Sequence, residues 1–201
     1  MFPKEMKQPE QIAGFASIVA LALLLGALGF QYIHHLPPCE MCHWQRWPHI
    51  AAATIGLLGA TVWKWDSRIL SVGAIALTAG LGLVLTAPPL WPYIALVTVA
   101  LAGLAASQKG VHGLAIMAIV LVAVSGLLGA YQTGMQEGIL PGPTACIVAK
   151  PYIVGSGAPD PEISCNVVTW DLFGLSLAAL NAIFSLGAAA IATVLLLKKR
   201  A

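Results

Sequence analysis

The sequence predicts an all-α fold: a polytopic bundle of helices that cross a membrane. Of its 201 residues, 59% are hydrophobic and 9% are charged, whereas a soluble globular domain carries about 25% charged residues. About 20 apolar residues in a helix cross a bilayer core. The few charges are clustered, and five long charge-free runs separate the clusters, at 11–39, 47–63, 69–108, 110–136 and 172–197. Each run therefore predicts at least one span; the run 47–63 is long enough once its interfacial flanks are included.

The run 69–108 is too long for a single span. Its 40 residues would form a helix of roughly 60 Å, which is about twice the thickness of the hydrocarbon core. Pro88, Pro89 and Pro92 cannot lie inside one uninterrupted helix, so they predict a break between two spans. The sequence thus predicts six spans, at about 12–33, 43–63, 69–87, 92–107, 112–132 and 170–197.

The basic residues predict which side of the membrane each loop faces. If the N-terminus is cytoplasmic, eight of the ten basic residues lie in cytoplasmic segments, and only Arg46 and Lys150 lie on the other side. This asymmetry follows the positive-inside rule, and an even number of spans leaves both termini in the cytoplasm. The first run is longer than the core of a signal peptide, so we expect an uncleaved first span. The loops 34–42 and 133–169 then face outwards.

All four cysteines lie in these two outer loops. Cys39 and Cys42 form a Cys-x-x-Cys motif, and Cys146 and Cys165 lie in the second loop. Disulfides persist on the oxidising side of a membrane, so four cysteines split two and two suggest two dithiol/disulfide pairs. Cys-x-x-Cys is typical of a catalytic dithiol with easy exchange. The second pair could instead be a structural staple across its loop.

The residues around Cys42 favour thiol chemistry. The motif lies where the second span begins, so the amides of a helix N-terminus would stabilise a thiolate. Arg46 follows Cys42 by four residues, which places it on the same helix face, where its guanidinium would favour the anion. Snorkelling of Arg46 to the membrane interface is the alternative interpretation. A zinc site at Cys39, Cys42 and nearby histidines is another alternative, but the charge-free runs contain no acidic ligand, and we expect no metal.

Two segments resemble the DsbB family of disulfide bond formation proteins. Residues 37–46, PPCEMCHWQR, match the family pattern Pro-Cys-x-x-Cys-x-x-Gln-Arg of the first periplasmic loop. Residues 142–146, GPTAC, and 165–176, CNVVTWDLFGLS, resemble the stretches around the family's second cysteine pair. The resemblance implies a four-helix core, here with an extra helical pair at about 69–107 that leaves every cysteine on its side. The family often has a histidine before the second loop, where this chain has Tyr131 and Gln132.

This resemblance implies an enzyme of the bacterial inner membrane that generates disulfides. Such a protein-dithiol oxidoreductase reoxidises a periplasmic DsbA-like protein of the thioredoxin fold and passes the electrons to ubiquinone or menaquinone. A DsbA-like partner has a reduction potential of about −120 mV, whereas ordinary dithiol catalysts lie near −200 mV. Oxidation of the first by the second is uphill by about 80 mV, so a stronger acceptor such as a lipid-soluble quinone is needed.

The resemblance also implies a role for each cysteine. The partner's thiolate attacks Cys146, Cys165 then exchanges with the Cys39–Cys42 disulfide at Cys39, and Cys42 gives its electrons to the quinone. Arg46 would stabilise both the Cys42 thiolate and the developing negative charge on the quinone. The candidate quinone-binding residues are Arg46, Gln45 and His49.

Other functions stay open at this point. A polytopic permease or transporter with structural periplasmic disulfides would need neither a redox partner nor a quinone. An enzyme of the vitamin K epoxide reductase type also has two cysteine pairs in a helical bundle, but there the Cys-x-x-Cys pair follows the loop pair, which is the reverse of the order here. The net charge of +2 offers no basic face for nucleic acid.

Overall fold

Helices account for most of the structure. The computed structural model describes residues 8–61, 111–143, 146 and 163–198. Within these residues lie the helices α1 (Gln8–Tyr32), α2 (Glu40–Thr61), α3 (Val111–Gln136) and α4 (Leu177–Lys198), with a hairpin of two short strands, β1 (Asp171–Leu172) and β2 (Leu175–Ser176), before α4. The predicted spans 69–87 and 92–107 lie outside the described residues. The structure therefore supports a helical bundle, while the count of six spans stays a prediction.

Three of the described helices are long and apolar enough to cross a membrane. The segments that meet this requirement are Gln11–Tyr32, Gly113–Gln136 and Leu177–Lys198. Large apolar side chains on these helices, such as Leu25 and Phe184, are exposed, as expected of a surface that faces lipid. Helix α2 differs because Gln45, Arg46 and His49 make its first half polar.

Small side chains form the core of the bundle. Helix α1 packs on α2, α2 on α3, and α3 on α4, while α1 also contacts α3 and α4. Ala20, Ala52 and Ala118 are fully buried in the largest core cluster. A Cβ atom on Gly129 of α3 would lie only 2.8 Å from the carbonyl oxygen of Ala178 on α4. Small residues let membrane helices approach this closely.

The last helix begins later than predicted. The sequence places its start at about 170, but residues Asp171–Ser176 form the hairpin and α4 begins at Leu177. Phe173 and Gly174 have positive φ values of 53° and 80°, which is the geometry of a tight hairpin turn. The carboxylate of Asp171 accepts the Gly174 N–H at 3.1 Å, and Ser176 caps α4 by accepting the Ala179 N–H at 3.2 Å.

Helix α3 also ends later than predicted. The sequence ends this span at about 132, but the helix continues to Gln136. The hydroxyl of Thr133 donates to the carbonyl oxygen of Gly129 at 2.9 Å, so a polar side chain is accommodated within the helix. This extra turn carries polar side chains towards the cysteine loops.

Candidate functional site

The four cysteines meet at one end of the helical bundle. They form the disulfides Cys39–Cys42 and Cys146–Cys165, with Cα–Cα distances of 5.0 and 5.2 Å. Both disulfides contribute to one buried cluster. Cys39, Cys146 and Cys165 are 1%, 2% and 0% exposed, whereas Cys42 is half-buried. The structure thus brings together two pairs that lie more than 100 residues apart in the sequence.

The first disulfide lies at the N-terminus of α2. Helix α2 begins at Glu40, so Cys39 occupies the capping position, and its Sγ accepts the Cys42 N–H at 3.1 Å. A serine or aspartate oxygen usually accepts this bond at the start of a helix. Here the acceptor is a sulfur, and the positive end of the helix dipole faces it. The amide contact expected from the sequence is therefore present, and it is made to Cys39.

Backbone contacts hold the second pair beside the first. The N–H of Cys165 donates to the carbonyl oxygen of Cys146 at 2.7 Å, and the hydroxyl of Ser164 donates to the same oxygen at 3.1 Å. Ile163 forms a parallel β-bridge with Cys39. Because Ile163 precedes Cys165 by two residues, this bridge fixes the Cys165 segment against the start of α2.

Gln132 links the first disulfide to the backbone of Cys165 in the second pair. Its side chain is 3% exposed, and its Nε2 donates to Cys39 Sγ at 3.2 Å, to Cys42 Sγ at 3.8 Å and to the Cys165 carbonyl oxygen at 3.4 Å. Its Oε1 accepts from Gln45 Nε2 at 2.6 Å. Gln132 was not among the site residues predicted from the sequence. The feature that could have identified it is a polar side chain at the end of an apolar run. Burying a polar group in a membrane costs free energy, so residues at such positions are usually functional.

Gln45 and His49, both predicted from the sequence, belong to a buried polar network. Asn181 Nδ2 on α4 donates to Gln45 Oε1 at 2.8 Å and to the Ser125 hydroxyl at 3.2 Å. Nε2 of His49 lies 2.9 Å from Asn181 Oδ1 and 2.9 Å from the Ser125 hydroxyl. The network joins α2, α3 and α4 behind the first disulfide. Asn181 and Ser125 were also missed by sequence reasoning, because only helix packing brings them to α2.

Arg46 donates a hydrogen bond to α1, where its Nη1 binds Oε1 of Gln31. Cys42 is disulfide-bonded, so the stabilisation of a Cys42 thiolate by Arg46 stays a prediction. Packing of α1 against α2 brings Gln31 close, and sequence spacing along α2 alone could not show this. Nε of Arg46 and Nδ1 of His49 are buried and have no hydrogen-bond partner among the described residues.

These unpartnered atoms are suited to an oxygen-bearing ligand. The Arg46 Nε–H is a donor for a carbonyl oxygen, and a histidine ring nitrogen can accept or give a proton. The side-chain groups of the described residues include no cluster of three or more His, Cys, Asp or Glu that could hold a metal ion. Cys39 and Cys42, the proposed thiolate ligands of the zinc alternative, are bonded to each other.

Comparison with known proteins agrees with this geometry. Disulfide bond formation protein B of Shewanella sp. (strain W3-18-1) is 40% identical over 67 residues, which are 33% of this chain and 38% of that protein. The proteins of the same name from strains MR-4 and MR-7 are each 42% identical over 67 residues, with the same coverage. The chain therefore spans 38% of the length of these curated relatives. No solved structure gives a significant match.

The family comparison covers nearly the whole chain. The family described as disulfide bond formation protein DsbB matches residues 9–88 and 90–195. This match includes both cysteine pairs and all four described helices, and it confirms the resemblance found in the two loops. The chain belongs to the DsbB family of disulfide bond formation proteins.

Proposed function

We propose that this protein is a membrane protein-disulfide oxidase that reoxidises a periplasmic DsbA-like protein and passes the electrons to ubiquinone or menaquinone. The observation that carries the proposal is the packing of two disulfides in one buried cluster at the end of an apolar helical bundle. A thiolate released from one pair can attack a disulfide that lies in the same cluster, whereas structural staples have no need to meet. Membership of the DsbB family supports the same disulfide-forming chemistry.

The proposed thiol chemistry proceeds by two exchanges. The partner's thiolate attacks Cys146 Sγ, and Cys165 leaves as a thiolate; the partner's second thiol then resolves the mixed disulfide, so that the partner leaves oxidised and Cys146 is reduced. The Cys165 thiolate attacks Cys39 Sγ, and Cys42 leaves as a thiolate. Cys146 then attacks Cys165 and releases Cys39. The second pair is again a disulfide, and the dithiol at Cys39 and Cys42 holds the two electrons.

The described contacts support the second exchange more directly than the first. The β-bridge between Ile163 and Cys39 keeps the Cys165 segment next to the disulfide that it must attack. Cys146, in contrast, is only 2% exposed. A partner thiolate must approach in line with the disulfide, so the partner must first displace the residues that cover Cys146.

The residues beyond the first disulfide fit a quinone. When bound, a quinone supplies an acceptor for two electrons and two protons. Arg46 would bind a quinone carbonyl oxygen through its buried Nε–H, which has no partner among the described residues. His49 would hold or release a proton at Nδ1, because its Nε2 is already engaged by Asn181 and Ser125. Gln45 would act indirectly, since its carboxamide joins Gln132 to Asn181.

The proposed location is the bacterial inner membrane, with the cysteine loops in the periplasm and both termini in the cytoplasm. Three apolar helices of spanning length support a membrane location. The distribution of basic residues supports the orientation, with eight of ten on the cytoplasmic side. The six-span arrangement, with an added helical pair at 69–107, is part of the same proposal and keeps both cysteine loops on one side.

The first test is quinone reduction by the purified protein, followed by absorbance, with a reduced DsbA-type partner as electron donor. We expect rapid turnover with ubiquinone or menaquinone, and loss of turnover to background in Cys42→Ser. The double variant Cys146→Ser/Cys165→Ser should also stop partner-driven turnover. It should still reduce quinone when a small dithiol reduces the Cys39–Cys42 pair directly.

Two outcomes would contradict the proposal. Partner oxidation at the normal rate by the double variant would show that Cys146 and Cys165 do not receive the partner's electrons. An absence of turnover with both quinones, together with bridges that resist mild thiols, would favour the permease or transporter with structural disulfides.

A further inference from the structure

We propose that Gln132 is a positioning residue that stabilises the Cys39 sulfur as a thiolate when the Cys39–Cys42 pair is reduced, and thereby makes this disulfide a stronger oxidant. The inference rests on the proposed function, because only a redox-active pair needs such tuning. Gln132 is a buried side chain that contacts both sulfurs of the first disulfide and the backbone carbonyl oxygen of Cys165, and the exchange chemistry described above assigns no role to it.

The orientation of the Gln132 carboxamide is fixed from behind. Its Oε1 accepts from Gln45 Nε2 at 2.6 Å, and the Oε1 of Gln45 in turn accepts from Asn181 Nδ2 at 2.8 Å. Rotation of the Gln132 amide by a half turn would place two N–H groups against each other. The network therefore directs the Nε2 of Gln132 towards the sulfur atoms.

The donors favour one of the two sulfurs. Gln132 Nε2 lies 3.2 Å from Cys39 Sγ and 3.8 Å from Cys42 Sγ. Cys39 Sγ also accepts the Cys42 N–H at 3.1 Å. Because Cys39 is 1% exposed, these two donors and not water solvate its sulfur.

Donors placed in this way bind the reduced pair more tightly than the disulfide. A hydrogen bond to an ionised acceptor is roughly twice as strong as one between neutral groups, and a thiolate carries the full charge that a disulfide sulfur lacks. Stabilisation of the reduced form makes a disulfide more oxidising. The same amide also binds the Cys165 carbonyl oxygen, so the donor lies where the two pairs exchange.

The test compares Gln132→Leu with Gln136→Leu, each placed in the Cys146→Ser/Cys165→Ser background so that only Cys39 and Cys42 remain. Gln136 lies one helical turn further along α3, and its Oε1 accepts from the Ser176 hydroxyl at 2.6 Å; it makes no hydrogen bond to a cysteine in the described residues. After reduction, the rate of Cys39 alkylation by iodoacetamide is measured against pH with site-resolved mass spectrometry. The disulfide is also equilibrated with glutathione buffers.

We expect Gln132→Leu to raise the thiol pKa of Cys39 by about one unit, which lowers alkylation at a pH below the midpoint about tenfold. The glutathione equilibrium should shift about tenfold towards the disulfide, equal to a reduction potential about 30 mV lower. Gln136→Leu should match the parent in both measurements. Gln132→Glu keeps the shape and the acceptor oxygen but places a carboxylate beside the sulfur, so it should raise the pKa further, and it serves if the leucine variant does not fold.

If Gln132→Leu and Gln132→Glu both keep the rate of Cys39 alkylation and the glutathione equilibrium within twofold of the parent, Gln132 does not tune this pair. Neither measurement uses a partner or a quinone. A normal Gln132 effect in a protein that never reduces quinone would therefore overturn the proposed oxidase and leave the Gln132 assignment intact.

Discussion

At the scale of single residues, Asn181 connects the buried polar side chains of three helices. Its carboxamide contacts Gln45, His49 and Ser125, which belong to two other helices. Its Oδ1 also accepts from the Ser185 hydroxyl at 2.9 Å. In a bundle with a core of small apolar residues, these contacts determine how α2, α3 and α4 are rotated relative to one another, and thereby where Gln45 presents Gln132 to the disulfide.

Asn181→Leu should therefore lower the free energy of unfolding by about 2 kcal/mol, because it removes four interhelical hydrogen bonds that contribute about 0.6 kcal/mol each on average in membrane proteins. The measurement is unfolding of the detergent-solubilised protein followed by circular dichroism. Ser185→Ala is the matched control, since it removes only a contact within α4, and it should cost less than half as much. Equal losses in the two variants would show that the interhelical contacts add nothing.

At the scale of elements, the close packing of α3 against α4 positions the end of the bundle that carries the disulfides. Gly129 lies one turn before Gln132 on the same helix, and a Cβ at Gly129 would meet the Ala178 carbonyl oxygen at 2.8 Å and the Ala182 nitrogen at 3.1 Å. Both neighbours are backbone atoms of α4 and cannot rotate away. The close approach of the two helices thus depends on a residue without a side chain.

Gly129→Ala is expected to destabilise the protein by about 1–3 kcal/mol, the usual cost of overpacking, and to weaken partner-driven quinone reduction by shifting Gln132. Gly187→Ala on α4 is the comparison, because a Cβ at Gly187 has no atom within 4 Å; it should leave stability unchanged or raise it slightly. Unfolding midpoints and turnover of the two variants test this difference. If Gly129→Ala keeps the unfolding midpoint and turnover of the parent, then α3 and α4 can move apart at this position without a loss of stability.

The whole molecule combines a four-helix redox unit with the segment 62–110, for which the sequence predicts two further spans. The described residues already include both disulfides and the polar network, so the added pair is not needed to build the site. Its predicted importance is topological, since an even number of added spans keeps both cysteine loops on the same side of the membrane.

Reporter fusions test the six-span prediction directly. Alkaline phosphatase needs disulfides that form outside the cytoplasm, so a fusion after Pro89 should be active and a fusion after Lys109 inactive. A fusion after Gly142, in the second cysteine loop, should be active in any arrangement that leaves this loop in the periplasm, and it serves as the positive control. An inactive Pro89 fusion together with an active Gly142 fusion would contradict the two added spans but agree with a second cysteine loop that faces the periplasm.

The sequence was sufficient to predict the class of fold and the residues of both disulfides. Long charge-free runs predicted the helices because a spanning segment has few alternatives in lipid. Cys39 and Cys42 were recognisable from local spacing, and the loop motifs around Cys146 and Cys165 completed the prediction. Each of these signals is contained in a short stretch of sequence.

The contacts between helices could not be predicted in the same way. Gln132, Asn181 and the Gln31 partner of Arg46 reach the site through helix rotations that depend on packing of the whole bundle. The hairpin before α4 was missed because its residues continue into an apolar run, and a two-residue turn at Phe173 and Gly174 leaves little trace in hydropathy. The motifs therefore predicted the cysteine pairs, whereas the hydrogen-bond network between the helices could not be predicted from them.

The burial of the sulfurs has a consequence for selectivity. A disulfide able to oxidise a DsbA-like protein is thermodynamically able to oxidise any small thiol that diffuses to it, and such a leak would short-circuit the pathway. Cys146 and Cys165 are at most 2% exposed, so a bystander thiol meets a closed surface at the second disulfide, and a protein that can dock and part that surface reaches this bond. Cys42 of the first disulfide is half-buried, which leaves that bond open to a small dithiol. Under the proposed function, access and not reduction potential then decides which thiols the second disulfide oxidises.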